Sequence, residues 1–192
     1  TNMPETLQSQ ATTSNGDEIA HTGGKLDVAE LKSMLESYGL MGETPKARLD
    51  ALRNQSKENL AYFMTDLNRR LQGSDETLIS EKTMKIGDKS TIEPGQRYEL
   101  FSGLVDKIKS SREDINPARV GDTLALGTVL LHPFADGNGR TARMMGFIYR
   151  GDFTGVIRKW NLELNADFKV PNFVNNFFGW GNESVFNQDI DE

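Results

Sequence analysis

A chain of 192 residues is long enough for one domain with its own core. With 22 Lys and Arg against 28 Asp and Glu, a net charge of -6 and a pI of about 5.1, it is too acidic for a broad nucleic-acid-binding face, although a local basic pocket stays open. The absence of cysteine excludes disulfides and thiolate metal sites, and no apolar run is long enough to span a bilayer, so neither a nucleic acid nor a membrane is expected as a partner. At 36% hydrophobic and 26% charged residues the composition is globular but polar, which leads us to expect that part of the chain is tail.

The chain begins Thr1-Asn2-Met3-Pro4, without a signal-peptide apolar region, and reads as a piece processed or excised from something longer. Residues 1–24 are rich in Thr, Ser, Gln, Asn and Gly and are expected to be a flexible segment, with His21 solvated and inert. A domain over 25–180 and an acidic C-terminal tail over 181–192 complete the expected organisation. Leu26, Val28, Leu31, Met34 and Leu35 fall near helical spacing, and Gly39 can supply a left-handed cap after Tyr38. A second helix is expected from about Pro45 to Leu71, started by Thr44 and Pro45 and buried along Leu49, Leu52, Leu60, Phe63, Met64 and Leu67. Between 77 and 96, β-branched residues flank Gly87-Asp88, which fits either a short β-hairpin or an irregular surface loop. Tyr98 to Ile108 is helical again, with Leu100, Phe101, Leu104, Val105 and Ile108 on one face.

Asn116-Pro117 is a helix start, and the helix to Leu131 is apolar nearly all round, as a buried central element would be. His132-Pro133 ends it, because proline disfavours the right-handed α conformation for the residue before it. His132 is thus expected at the helix end, aimed into a loop. Gly137-Asn138-Gly139 opens the next helix, which runs to about Tyr149 and breaks at Gly151-Asp152. Trp160, Leu162, Leu164, Phe168, Phe173, Val174, Phe177, Phe178 and Trp180 suggest smaller helices that close the core. The expected fold class is all-α with a small hairpin near 80–95.

The chemistry concentrates in His132-Pro133-Phe134-Ala135-Asp136-Gly137-Asn138-Gly139-Arg140-Thr141-Ala142-Arg143. Small residues before a helix let backbone N–H groups approach phosphate oxygens at the positive end of the helix dipole. Arg140 and Arg143 share a helix face there, and two guanidinium groups suit a polyphosphate. Asp136 is a hard oxygen ligand of the kind that holds Mg²⁺ beside phosphates. His132 could take a proton from an attacking hydroxyl, and Phe134 reads as an anchor pinning the loop into the core. Each feature alone has an ordinary structural reading, as a turn, a surface ion pair or a helix cap. In this order and spacing they point together to one site.

The same stretch resembles the Fic domain (filamentation induced by cAMP), whose motif is His-Pro-Phe-x-Asp/Glu-Gly-Asn-Gly/Lys-Arg-x-x-Arg. His132 to Arg143 matches every specified position, and a looser resemblance extends from about Arg48 to Trp160. The resemblance implies a protein adenylyltransferase, which moves AMP from ATP to a Ser, Thr or Tyr hydroxyl of a protein and releases pyrophosphate. It implies His132 as general base and Asp136 as the Mg²⁺ ligand. Gly137, Gly139 and the Asn138 side chain would form the anion hole, and Arg140 and Arg143 would hold the outer phosphates. Phe134 is counted with this nucleotide site as its anchor. The segment from Lys82 to Gly95 resembles the family's flap, so Lys85, Ile86 and Gly87 are expected to dock the target by β-augmentation.

Many Fic proteins also carry an inhibitory Ser/Thr-x-x-x-Glu-Gly/Asn helix. Ser14 to Ile19 and Asn54 to Asn59 are the nearest stretches, and neither is a full match. Either a separate inhibitory, antitoxin-like partner or no inhibition of this type is therefore expected. Gly139, where phosphate-transferring relatives have Lys, favours AMP over phosphate, UMP or phosphocholine. A non-catalytic nucleotide-binding module is the competing class, and a pure binder would need neither His132 nor Asp136. The polar lead-in suits a toxin or effector, cytoplasmic or delivered into a target cell.

Overall fold

The computed structural model describes residues 26–76, 79–80, 85–86, 89–90 and 93–151. The expected tails at 1–24 and 181–192, His21, Gly87 and the helices expected after Gly151 lie outside the described residues. Within them are six helices and one pair of short strands: α1 (Val28–Ser37), α2 (Pro45–Arg53), α3 (Lys57–Gln72), β1 (Lys85–Ile86), β2 (Lys89–Ser90), α4 (Arg97–Lys109), α5 (Pro117–Leu131) and α6 (Asn138–Arg150). A single 3-10 turn at Pro94–Gln96 leads into α4. The fold is all-α, as expected. No helix among the described residues is long and apolar enough to cross a membrane.

Local chemistry sets the helix starts. Side chains of Asp27, Thr44, Ser56 and Asn116 accept from the backbone N–H of Glu30, Ala47, Asn59 and Ala118 at 2.8–3.1 Å. Each satisfies a donor that the first helical turn leaves without an internal partner. The single helix expected over 45–71 is two helices. Asn54 and Gln55 turn back onto the carbonyls of Ala51 and Leu52, and Ser56 then caps a new helix. The apolar stripe continues across this break, which is why its periodicity read as one element. At the far end of α3, Gly73 adopts φ 62° and ψ 34°, a left-handed stop open to glycine at little cost.

α5 is the buried axis. Every residue from Arg119 to Leu131 is buried, and its principal neighbour is α6. The two helices approach closely at Gly121, where an added Cβ would lie 2.6 Å from the carbonyl oxygen of Gly146 and 2.9 Å from the amide nitrogen of Arg150. Beside it, Arg150 Nη1 meets Asp122 Oδ2 at 3.1 Å, a pair almost wholly removed from solvent. Around this axis α3 and α4 contribute Leu60, Phe63, Leu67, Leu71, Leu104, Val105 and Ile108 to one continuous core.

Two arginines tie helix ends that are far apart in sequence. Arg48 is fully buried, and its Nε donates to Ile148 O at 2.6 Å while Nη1 donates to Gly42 O at 3.0 Å. Burial pushes its pKa down to about 10, so it remains charged at neutral pH, and a cation near the C-terminus of α6 is favoured by the helix dipole. Arg53 donates to the carbonyls of Ile108, Lys109, Ser111 and Arg112 at the end of α4. Of the two readings for 77–96, the hairpin is the one found. β1 and β2 are antiparallel, with Lys85 opposite Ser90 and Ile86 opposite Lys89, which leaves a two-residue connection.

Candidate active site

The site forms where α5 ends and α6 begins. His132 is the C-cap of α5, at φ 48° and ψ 54°, the only described non-glycine residue with positive φ. The following proline excludes the right-handed conformation, as the sequence implied, and the chain turns left-handed. The imidazole is half-buried, with Nδ1 3.2 Å from Val129 O. A carbonyl can only accept, so in the neutral ring Nδ1 carries the hydrogen and Nε2 carries the lone pair. Burial lowers the His132 pKa below its ordinary value and the Arg97 charge lowers it further, against an opposing effect of the Val129 hydrogen bond. The neutral, proton-accepting ring is therefore favoured near neutral pH.

The loop after it is pinned from inside. Phe134 is 2% exposed and belongs to the core, as its anchor role requires. Its backbone N–H donates to Asn138 Oδ1 at 3.0 Å, and its carbonyl accepts from Asn138 Nδ2 at 2.7 Å. This corrects one expectation. The buried Asn138 amide is committed at both ends to the loop's own backbone, so it shapes the anion hole rather than facing an anion. What Asn138 can offer a phosphate is its backbone N–H.

Gly137 precedes α6 at φ 77°, and α6 has no side-chain cap at its N-terminus. The first-turn N–H groups of a helix have no internal acceptor, so this end suits an anion. The φ at Gly137 favours glycine, and a Cβ there, 2.6 Å from Gln72 Oε1 and 2.9 Å from Asn68 Nδ2, would push both side chains aside. Arg143 lies back along α6 over Gly139, where an added Cβ would be 3.7 Å from its Nη1. Helical side chains lean toward the N-terminus, which brings this guanidinium to the loop. Arg140 Nη1 donates to Gln72 Oε1 at 2.6 Å, so its side chain is held against α3.

Asp136 is exposed, and its Oδ1 accepts from the Gly137 N–H at 2.8 Å. Among the described residues no group of three or more His, Cys, Asp or Glu could cage a metal ion. A single exposed carboxylate beside a phosphate cradle fits Mg²⁺, which keeps water and substrate oxygens as most of its ligands. Lys85 and Ile86 form β1, and the hairpin follows a segment anchored to the loop: Ser80 N–H donates to Pro133 O at 2.9 Å, and Ile79 bridges Phe134. Beside this anchor is a cavity of about 470 Å³, walled by Met64, Ile79, Pro94, Tyr98, Phe101 and Phe134 among others.

Three supporting residues escaped the sequence reading. Asn68 Nδ2 donates to Asp136 O at 2.9 Å and to Thr141 Oγ1 at 3.2 Å. Gln72 holds Arg140, and Arg97 holds the end of α5 through Leu131 O at 2.7 Å. Asn68 left one local signal, a polar residue inside the apolar stripe of α3. Gln72 and Arg97 left none, because each acts on a partner more than thirty positions away.

Fold and site together define a helical domain in which a half-buried histidine and an uncapped helix N-terminus share one short loop. Residues 61–149 match the model of the Fic/DOC family, and this stretch is a Fic domain. The matched stretch runs from the first half of α3 to the last turn of α6 and includes the whole His132–Arg143 loop. The match supports a Fic-type transferase of a phosphate-containing group, since enzymes of that family use nucleotide substrates with a metal. No curated protein matches the chain significantly.

Proposed function

We propose that the protein is an adenylyltransferase that moves AMP from ATP to a Ser, Thr or Tyr hydroxyl of a target protein. The observation that carries this reading is the contact of His132 Nδ1 with Val129 O, which in the neutral ring favours the hydrogen on Nδ1 and leaves Nε2 as a proton acceptor on the same short loop as the anion cradle. His132 Nε2 accepts the proton of the target hydroxyl as that oxygen attacks the α-phosphorus. The bond from the α-phosphorus to the oxygen bridging to the β-phosphorus breaks, and pyrophosphate leaves. Backbone N–H groups at Asn138 and Gly139 hold the α-phosphate oxygens, joined by that of Gly137 when Asp136 Oδ1 releases it, and Arg143 and Arg140 pair with the outer phosphates. Asp136 would hold Mg²⁺, which supplies charge neutralisation on the phosphates when bound. The chain's own contribution is mainly position and preorganised charge, as in other phosphoryl transfers.

Arg140 Nη1 is held by Gln72, which leaves its other guanidinium N–H groups for phosphate, and Arg143 lies over Gly139. The hairpin supplies the strand edge along which an extended target segment pairs, with Lys85 and Ile86 on its first strand and Gly87 next to them in sequence. An inhibitory partner, if this chain has one, would act by occupying Arg143.

The test compares His132→Ala with wild type for nucleotide binding and for transfer in the presence of ATP, Mg²⁺ and a cell lysate. The expected result is loss of any AMP adduct with nucleotide affinity kept. Transfer at the wild-type rate by the variant would remove His132 as the base.

A further inference from the structure

We propose that Arg97 is the positioning residue for His132, holding the backbone on both sides of it so that the imidazole keeps one orientation. The proposal rests on the reading of His132 as the base. Arg97 is buried on the first turn of α4, 35 positions before His132 in the chain. Its Nε donates to Leu131 O at 2.7 Å, and its Nη1 donates to Ser80 O. Ser80 in turn donates its backbone N–H to Pro133 O at 2.9 Å. Leu131 and Pro133 are the two neighbours of His132. One is tied to Arg97 directly and the other through Ser80.

That bracket answers a conformational problem. His132 is left-handed, a conformation that brings the Cβ of an ordinary residue too close to the following carbonyl oxygen. Such a conformation persists only where its surroundings over-determine it. Here the carbonyl before it and the carbonyl after it are both fixed. The Nδ1 contact to Val129 O depends on that turn, because it needs the ring folded back over the last turn of α5. If the backbone at 132 relaxes, the ring leaves Val129 O and the lone pair is no longer confined to Nε2.

The chemistry selects arginine. A planar fork can serve two carbonyl acceptors at once, whereas the single ammonium of lysine cannot reproduce that spread. Leu131 O belongs to the last turn of α5, where carbonyls have no helical partner and a cation is favoured. Burial pushes the Arg97 pKa below its ordinary value, with Glu93 acting against this, and its charge bears on His132 as well.

The experiment uses the full chain and reads ring tautomers by long-range 1H–15N correlation in wild type and Arg97→Lys. The chain has two histidines, and a His21→Asn variant assigns the signals. Wild type should show His132 as a single neutral tautomer with the hydrogen on Nδ1. Arg97→Lys should show a mixture of the two, with kcat lowered about 10- to 100-fold, the scale of an ångström of misplacement, and nucleotide affinity unchanged. Ser80→Pro removes the N–H to Pro133 O and leaves Arg97 in place, so it covers the case in which the lysine variant does not fold. It should give the same mixture. A wild-type ring already mixed would overturn the proposal, as would folded variants that retain the single tautomer or lose nucleotide affinity in step with kcat. If wild type transfers no AMP, the functional reading fails by itself and the ring spectra still decide the place of Arg97.

Discussion

Replacing Asn138 by Ala separates two roles for a buried polar residue of the loop. The side chain makes two hydrogen bonds, at 3.0 Å from Phe134 N–H and 2.7 Å to Phe134 O, and the residue is 4% exposed. Alanine leaves a backbone donor and a backbone acceptor without partners inside the protein. Each such buried orphan costs about 1–3 kcal/mol. Two of them, partly relieved by water entering the shortened side chain's space, give a loss of about 2–4 kcal/mol in the same terms. At roughly 2–4 °C per kcal/mol for a chain of this size, Tm should fall by about 4–16 °C. Asp at 138 should do no better, since it can accept from Phe134 N–H but faces the Phe134 carbonyl with no donor when ionised. The assay is thermal unfolding by circular dichroism, paired with nucleotide titration. If the side chain were instead a direct phosphate ligand, Asn138→Ala would keep the wild-type Tm and lose affinity, and that pattern would refute the reasoning.

Gly121→Ala should separate α5 from α6, because the added Cβ would lie 2.6 Å from a backbone oxygen that cannot rotate away. We expect a destabilisation of about 1–3 kcal/mol, read by denaturant unfolding, with no effect if the crossing is looser than it stands. The rate of transfer should be flat as pH falls from 7.5 toward 6.5 and decline only below that. The His132 pKa lies below its ordinary 6.5, and the base works in its neutral form. The same sign applies to stability: a depressed histidine pKa adds stability above 6.5 and loses it as pH falls through the folded value, so an inflection above 6.5 in either profile would contradict the assignment.

Much of this fold is legible in the sequence where its causes are local. Thr44-Pro45, Asn116-Pro117 and Gly73 announce helix ends through side chains that act within four positions. The all-round apolar character of 118–131 announces the buried axis. The boundary at Ser56 was lost because the apolar stripe passes through it without a change of phase. At the site, the loop residues carry their chemistry in a fixed order, so type and spacing were enough to find them. Orientation was not: whether the Asn138 amide faces an anion or the Phe134 backbone depends on the path of the loop. The residues that hold the site act far along the chain, Asn68 on Asp136, Gln72 on Arg140 and Arg97 on Leu131, and only Asn68, a polar residue within an apolar stripe, is marked by its own neighbourhood.

The central claim is transfer of AMP, and the most direct measurement is to follow the label from ATP carrying it on the α-phosphate or on the γ-phosphate. Wild type with Mg²⁺ and a lysate should retain the α label covalently on protein and release the γ label with pyrophosphate, and His132→Ala should retain neither. Retention of the γ label would mean that the same site transfers phosphate. Retention of neither label by wild type, with nucleotide still bound, would contradict the account in favour of a binding module.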